Sequence, residues 1–400
     1  MTTINVKFRA SSIDGQPGSI IYAITHRRVV RHVTSDYNIF SYEWDSAVCS
    51  INTTLQDNRT KFRLIIAQRI QGDLARFRKI ADELQGERTN ITADEVIESF
   101  NRQRQQSSFY KYMEGVICRL RQLNKRGTAD NYQYTLQSFR AFNENVDLQF
   151  EDVTISLIED YEAWLAAKGV RPNSSSFYIR NLRAVYNRAV EDNIIADTRP
   201  FRRAFTGVAK TAKRAISLKD IKKIKSLDLS HNKQLTFYRD IFLFQFYAMG
   251  ISFIDVVFLE KSNLNRGIIT YQRRKTHQEI IIPINELIKE IIDRYSNINS
   301  KYLFPIIDDK SIDFRTQYRL ALRRMNDNLK RIATLAKLEN NLTTYVSRHS
   351  WASAAKNKGI PIALISDALG HDSIQTTEVY LSSISTAELK KANQKILAGL

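Results

Sequence analysis

Apolar and polar residues alternate in the first part of the chain and recur at helical spacing in the rest. In residues 20–25 and 29–34 the alternation is typical of half-buried strands, and Asp14-Gly15 and residues 36–38 carry turn-forming residues. From about residue 46, apolar residues recur every three or four positions, as they do along one face of a helix. The pattern therefore predicts a small sheet that is followed by helices.

The next stretch, residues 105–197, has helical spacing throughout. The first of its helices is predicted to end near Arg126-Gly127, and the fourth to begin after Ser175 or Ser176. Four or five short amphipathic helices without intervening strands predict a compact helical bundle.

The last part of the chain, residues 217–400, is predicted to be mainly helical with one β insertion. Ser217 precedes the first helical pattern and is its predicted N-cap. Residues 267–272 and 279–284 read as two strands, and residues 273–278 join them as a hairpin turn. The expected fold class is therefore mainly α with small β elements (α+β). Its predicted divisions are residues 1–100, 105–197, a linker at 198–216, and 217–400.

The charge of the chain points to a polyanionic partner. Lysine and arginine outnumber acidic residues to give a net charge of +18, which favours DNA, RNA or an anionic membrane surface. No apolar run reaches the roughly 18 residues that a spanning helix needs, and no signal-peptide pattern is evident. Cys49 and Cys118 cannot form a disulfide framework and are expected to be small core residues in a reducing cytoplasm. Nucleic acid is thus the expected partner, with no membrane association.

Four residues in the last part of the chain have the chemistry needed to cut a nucleic-acid backbone. Tyr380 is the candidate nucleophile, and because a phenol has a pKa of about 10 it needs help to attack a phosphodiester. Arg348 can clamp two phosphate oxygens, and His371 can donate to the phosphate or take part in proton transfer. Lys275, on the predicted turn, can protonate the leaving sugar oxygen. Charge stabilisation is most of this task, so neither a metal nor a cofactor is expected.

These residues stand in a recognisable order. The chain carries the segments Arg348-His349-Ser350-Trp351-Ala352-Ser353, Leu369-Gly370-His371 and Tyr380-Leu381. Together they resemble the C-terminal signature of the tyrosine recombinase (phage integrase) family, and in particular integrases of Bacteroidetes mobile elements. The resemblance implies a 3′-phosphotyrosyl intermediate, a free 5′-hydroxyl and passage through a four-way (Holliday) junction. It also implies arm-binding, helical core-binding and catalytic domains, and a final helix after Ser385 that docks on a neighbouring subunit of a tetramer.

Two positions depart from the family pattern. Ser252 occupies the place of the family's first arginine, and Tyr345 the place of a histidine three residues before Arg348. We expect Arg273 or Arg274 to supply the missing positive charge at the scissile phosphate. The hydroxyl of Tyr345 can still hydrogen-bond in the site, and a packing role for this tyrosine is the alternative.

Basic residues of the predicted N-terminal strands, and basic and polar residues at loops and helix starts of the helical stretch, are the expected contacts to double-stranded DNA, at core and arm-type sites. Those in the first two segments are Arg27, Arg28, Arg31, Lys125, Arg126, Thr128, Arg171, Asn173, Arg180 and Arg183. Those in the basic linker, which is expected to lie along phosphates, are Arg202, Arg203, Lys213 and Arg214. Each set has a simple alternative as a solvated basic face.

The sequence thus predicts a DNA strand-exchange enzyme that integrates and excises a mobile element in the bacterial nucleoid, with accessory DNA-bending factors as further partners. An invertase or a chromosome-dimer resolvase of the same family remains open. So does a type IB topoisomerase, which uses similar chemistry. Because of Ser252 and Tyr345, a non-cutting DNA-binding regulator is the alternative from a different functional class.

Overall fold

The computed structural model describes residues 2–87, 90–209, 215–295, 300–307, 313–381 and 394. The chain divides into two compact units, Met1–Lys210 and Thr211–Leu400. The first unit includes both of the first two predicted divisions, so the boundary near residue 100 stays a prediction. Arg69 and Arg76, from the helix that follows the sheet, form ion pairs with Asp152 and Glu151 of the bundle, which joins the two parts of this unit.

The first unit opens with a three-stranded antiparallel sheet in the order β1-β2-β3. The strands are β1 Thr2–Arg9, β2 Gly18–His26 and β3 Val29–Ile39, and a short pair follows, β4 Trp44–Asp45 with β5 Ser50–Ile51. The two predicted strands are confirmed, but the turn predicted at residues 36–38 is wrong. Tyr37 is buried there in β3 and donates its hydroxyl to Asp73 at 2.9 Å, so the strand continues to a buried Ile39.

Two helices, α1 Thr60–Glu87 and α2 Ala93–Ser107, cover one face of this sheet. Their contact with the central strand is aromatic. Phe77 and Phe100 stack with ring centroids 3.7 Å apart, and Tyr22 of β2 packs against both. Because all three side chains are almost fully buried, this cluster fixes the sheet on its helices.

The bundle that follows has four α-helices: α3 Phe109–Gln122, α4 Arg126–Phe142, α5 Ile155–Ala167 and α6 Pro172–Glu191. Its core includes Phe109, Phe139 and Tyr161. Two predicted boundaries are wrong. The first helix ends at Gln122, so that Arg126 begins α4 rather than ending α3. The fourth begins at Pro172, whose fixed φ suits the first turn of a helix.

The second unit is mainly helical around a buried α8. Its elements are α7 Leu218–Lys225, α8 Lys233–Tyr247, α9 Phe253–Val257, β6 Leu264–Asn265, β7 Ile268–Gln272, β8 Glu279–Pro283, α10 Glu286–Tyr295, α11 Phe314–Leu335, α12 Thr344–Asn357, α13 Ile362–Leu369 and α14 Ile374–Leu381. Strands β6, β7 and β8 form an antiparallel sheet, which confirms the predicted hairpin. Ser217 caps α7 as predicted, since its side chain accepts from the Asp220 amide.

The predicted fold class is confirmed, because helices dominate and the sheets are small and antiparallel. The prediction that both cysteines are core residues is wrong: Cys49 and Cys118 are exposed. Cys118 lies on the outward face of α3, and Cys49 lies beside the short β4–β5 pair. Within the described ranges, every helix is too short or too polar to cross a bilayer.

Candidate active site

Arg348 is buried in the middle of α12, where its guanidinium joins two loops. Nη1 donates to the carbonyl of Gly250 at 2.9 Å, and Nη2 donates to the carbonyl of Leu369. Gly250 has a φ of +75°, and a Cβ there would stand 3.0 Å from the Arg348 Cα. Glycine is therefore required at this position by both its backbone conformation and the close approach of α12.

His371 follows the end of α13 and contacts both α12 and α14. Gly370 ends α13 in the left-handed conformation with a φ of +60°, and this turn directs His371 back toward the helices. His371 Nε2 lies 3.3 Å from Arg348 Nη2, and Nδ1 lies 2.8 Å from the Thr377 hydroxyl of α14. The imidazole is thus held by a contact at each ring nitrogen.

The surroundings of His371 favour its neutral form. Burial is the largest cause that lowers the pKa of His371, from an ordinary 6.5 to about 4. The positive charges of Arg348, Arg273 and Lys275 lower the pKa further, and the carboxylate of Asp372 opposes them. In the free protein at neutral pH, His371 is therefore uncharged, and added negative charge such as a phosphate would raise its pKa.

This shift predicts how stability depends on pH. His371 has a pKa of about 4 in the folded protein and an ordinary pKa of 6.5 in the unfolded chain. Between these values the unfolded chain binds the proton more readily, so the contribution of His371 to stability is present above pH 6.5 and is lost as the pH falls to 4. We expect the free energy of unfolding of wild type to fall more over this range than that of His371→Gln. Denaturant titrations of both proteins at several pH values measure the difference. A difference in the free energy of unfolding between the two proteins that does not change with pH would contradict the lowered pKa of His371.

The β7–β8 hairpin brings Arg273 into the same place. Arg273 is buried and donates from Nη1 to the carbonyl of Gly370, the residue before His371. Its Nε has no hydrogen-bond partner among the described residues. Lys275 and Arg274 are exposed at the turn, and the Arg274 guanidinium lies 3.7 Å from the centroid of the Phe258 ring. Arg273, rather than Arg274, therefore shares the turn at Gly370 with Arg348 and His371.

The segment where the family's first arginine would stand anchors this hairpin. Ser252, just before α9, donates its hydroxyl to Asp255 Oδ2 at 2.6 Å. The other oxygen of the buried Asp255 accepts from the Arg274 amide at 3.0 Å. Ser252 therefore fixes the carboxylate that fixes the base of the turn bearing Arg273 and Lys275.

Tyr345 lies on α12, one turn before Arg348, with its ring 4.7 Å from the ring of His349. Its side chain is 45% exposed, which leaves it accessible to a ligand, so its site role stays a prediction. Residue 380 is in α14, but the side chain of Tyr380 is outside the described part of the chain. The predicted final helix after Ser385 falls outside it as well.

The predicted DNA contacts in the N-terminal sheet lie at one end of a hairpin. Arg27 and Arg28 form the β2–β3 turn and are exposed, both with positive φ, a conformation that costs a non-glycine residue about 1 kcal/mol or more. Arg31, in β3, forms an ion pair with Asp94 at 2.9 Å.

Predicted contacts in the bundle lie mainly at helix starts. Lys125, Arg126 and Thr128 form the exposed start of α4. Arg171 precedes α6, while Asn173 exchanges two hydrogen bonds with the backbone of Ala209, at 2.7 and 3.0 Å. Asn173 therefore has a structural role in holding the middle of the basic linker, at Ala209.

The remaining predicted contacts lie on α6 and the linker. Arg180 donates to the Ser176 carbonyl one turn earlier, and Arg183 donates to the Thr206 hydroxyl. Arg202 is exposed, and Arg203 is 3.6 Å from Glu159. Lys213 and Arg214 lie outside the described residues.

Three features of the structure were not predicted from the sequence. Lys7 and Arg9 lie on the exposed face of β1. The alternation of polar and apolar residues in 2–9 could have predicted both the strand and this face. Arg319 and Arg323 stand one turn apart and exposed on α11, a spacing that is visible in the sequence. Thr377 contacts His371, and the signal for it was its position three residues before Tyr380, the candidate nucleophile, on the same helix. Among the described residues, no cluster of histidine, cysteine and carboxylate side chains is suited to hold a metal ion.

Comparison with known proteins agrees with this arrangement. Residues 108–205 match the model of the phage integrase SAM-like domain, and residues 219–386 that of the phage integrase family. Tyrosine recombinase XerD of Pseudomonas aeruginosa is 23% identical over 281 residues, which are 66% of this chain and 91% of that protein.

Two solved structures share the fold. The Tn1549 transposon integrase in complex with a circular intermediate DNA aligns with a TM-score of 0.53 and 15% identity, over 72% of this chain and 99% of that one. The lambda integrase tetramer bound to a Holliday junction aligns with a TM-score of 0.52 and 14% identity, over 92% and 95%. The chain belongs to the tyrosine recombinase (phage integrase) family and is a tyrosine-type site-specific recombinase.

Proposed function

We propose that this recombinase integrates and excises a mobile element, with Tyr380 as its nucleophile. The observation that carries the proposal is the convergence of Arg348, His371 and Arg273 on the turn that ends α13. Helix α14, which carries residue 380, is tied to this turn through Thr377. A basic cluster beside the nucleophile's helix is what a phosphoryl-transfer site requires.

The proposed chemistry moves one phosphoryl group without loss of bond energy. The phenolic oxygen of Tyr380 attacks the scissile phosphorus and passes its proton to His371, and the bond from phosphorus to the 5′ oxygen breaks as the new bond forms. Arg348 and Arg273 stabilise the charge that builds on the nonbridging oxygens. Lys275 gives a proton to the departing 5′ oxygen, and the 5′-hydroxyl of a partner strand later reverses the step.

The proposed partners are double-stranded DNA and further copies of this chain. The tetramer of lambda integrase on a Holliday junction, which shares this fold, supports a tetrameric recombination complex. The exposed Lys7 and Arg9 of the sheet and the start of α4 supply basic surfaces for arm and core sites. On this proposal, residues 1–100, 105–197 and 217–400 act as arm-binding, core-binding and catalytic domains in the nucleoid, with accessory DNA-bending factors assisting.

A recombination assay tests the role in a mobile element. DNA from both sides of the gene is cloned on one plasmid and candidate target DNA on another, and the purified protein is added without nucleotide triphosphates. We expect joined plasmids whose junctions, on sequencing, keep every nucleotide of both parents. DNA with the flanking sequence scrambled is the control. Reversal of a segment between inverted repeats, without joining, would instead identify an invertase.

A DNA-binding regulator is the second candidate, because Ser252, whose hydroxyl donates to Asp255, occupies the place where the family's first arginine would supply charge. Sequence-specific binding without any strand cleavage is the result that would favour it. Relaxation of supercoiled plasmid without site preference would instead point to topoisomerase activity.

A further inference from the structure

Two hydrogen-bonding contacts among the described residues connect helix α14 to α12 and to the turn that ends α13. Thr377 is fully buried, and its hydroxyl lies 2.8 Å from His371 Nδ1. At the end of the helix, the carbonyl of Leu381 accepts from Lys356 Nζ of α12 at 2.8 Å. Residue 380 lies between these two positions, so the contacts with His371 and Lys356 also position the backbone of the nucleophile.

The contacts of His371 determine which ring nitrogen carries the proton. A guanidinium can only donate, so the contact of Arg348 Nη2 with Nε2 at 3.3 Å makes Nε2 the acceptor. A neutral imidazole has a single N–H, which is then on Nδ1. That group donates to the Thr377 hydroxyl oxygen.

We propose that Thr377 is a positioning residue: it holds His371 in the Nδ1–H tautomer and ties the ring to the helix that carries the nucleophile. The proposal rests on the recombinase function proposed above. It adds to that function a residue that acts through His371 and not directly on the phosphate. Because of this hydrogen bond, the position of the nucleophile's helix and the orientation of the His371 ring depend on each other.

The same contact serves both charge states of the imidazole. Arg348 faces His371 from α12, Arg273 and Lys275 face it from the β7–β8 hairpin, and Asp372 is its neighbour in the chain. The three cations favour the neutral ring, and an arriving phosphate offsets them. Protonation then occurs on Nε2, which becomes a donor toward the phosphate, while Nδ1–H continues to donate to Thr377.

The experiment compares three variants of the full chain by two measurements. Thr377→Val keeps the shape of the side chain and removes the acceptor, Thr377→Ser keeps the acceptor, and Thr376→Val makes the same change at the preceding residue. Thr376 is a matched control because it is exposed and, among the residues that the structure describes, its hydroxyl contacts Ser373 alone. The measurements are the ¹⁵N chemical shifts of the His371 ring, assigned with His371→Gln, and the rate of covalent complex formation on a nicked suicide DNA as a function of pH.

In Thr377→Val we expect the ring to become a mixture of tautomers and cleavage to slow about 10- to 100-fold, part of what a positioned proton-transfer group contributes. The pH profile should shift, Thr377→Ser should restore both properties, and Thr376→Val should match wild type. Unchanged ring shifts in Thr377→Val, or a Thr377→Ser as defective as Thr377→Val, would overturn the proposal. The NMR measurement needs no DNA, so it tests Thr377 even if the wild type fails to cleave, which would count against the proposed function instead.

Discussion

Tyr380→Phe is expected to abolish covalent attachment to DNA, with a loss of more than about 10³-fold relative to wild type. Phenylalanine keeps the ring and removes the only atom that can bond to phosphorus. The remaining charges, Arg348 and Arg273, stabilise a transition state that can no longer form. The measurement is incubation with a nicked suicide substrate followed by denaturing gel electrophoresis, in which wild type gives a slow band that resists denaturation.

The control separates chemistry from binding. Tyr134, an exposed tyrosine of α4, gives a matched Tyr134→Phe variant that should cleave as wild type does. DNA affinity in a mobility-shift assay should be the same for all three proteins. A covalent band from Tyr380→Phe would show that another residue is the nucleophile. No band from wild type, despite sequence-specific binding, would favour the DNA-binding regulator.

Much of the fold was available from local sequence. Ser217 and the two strands of the β7–β8 hairpin were predicted because caps and alternation depend on residues close together in the chain. Strand β1 was missed although its residues alternate, since Ile4, Val6 and Phe8 are the only apolar ones in a strand that is otherwise polar. As an edge strand, β1 buries these side chains only in part, so its hydrophobic signal is weak.

The site was predictable in its motifs and not in its contacts. Arg348 and His371 were found because each stands in a short, ordered signature. The bond from the Arg274 amide to Asp255 joins residues 19 positions apart, and that from Arg348 to Gly250 spans 98. Such contacts follow from how α9, α12 and the hairpin pack, which the spacing of residues along one element does not encode.

The sequence could not decide between Arg273 and Arg274 as the second cation of the site. Both are arginines next to Lys275, and the sequence offered no reason to prefer either. Both follow the last residue of β7, and their side chains take different directions: Arg273 is buried against Gly370, while Arg274 is exposed and lies over Phe258. The packing of the β7–β8 hairpin against the end of α13 decides which of the two arginines reaches Gly370.

Arg273→Ala is therefore expected to lower the rate of covalent complex formation about 10²- to 10³-fold, the usual cost of removing one charge-stabilising donor from a transition state. It should also raise the pKa of His371, because the charge of Arg273 is one of the causes that lower it. Arg274→Ala should have the smaller effect on both. The measurements are single-turnover cleavage of the suicide substrate and an NMR titration of the His371 ring.

Arg273→Lys keeps the positive charge but loses the planar fork, so it separates charge from geometry. We expect it to leave the pKa of His371 low while recovering only part of the cleavage rate, since an ammonium cannot donate in the same fork geometry to Gly370 and to a phosphate. Mobility-shift titrations must show unchanged DNA binding for a rate loss to be assigned to the chemical step. Near-normal cleavage by both Arg273→Ala and Arg274→Ala would mean that neither replaces the arginine missing at Ser252, and the exposed Lys275 and Tyr345 would be the next residues to vary.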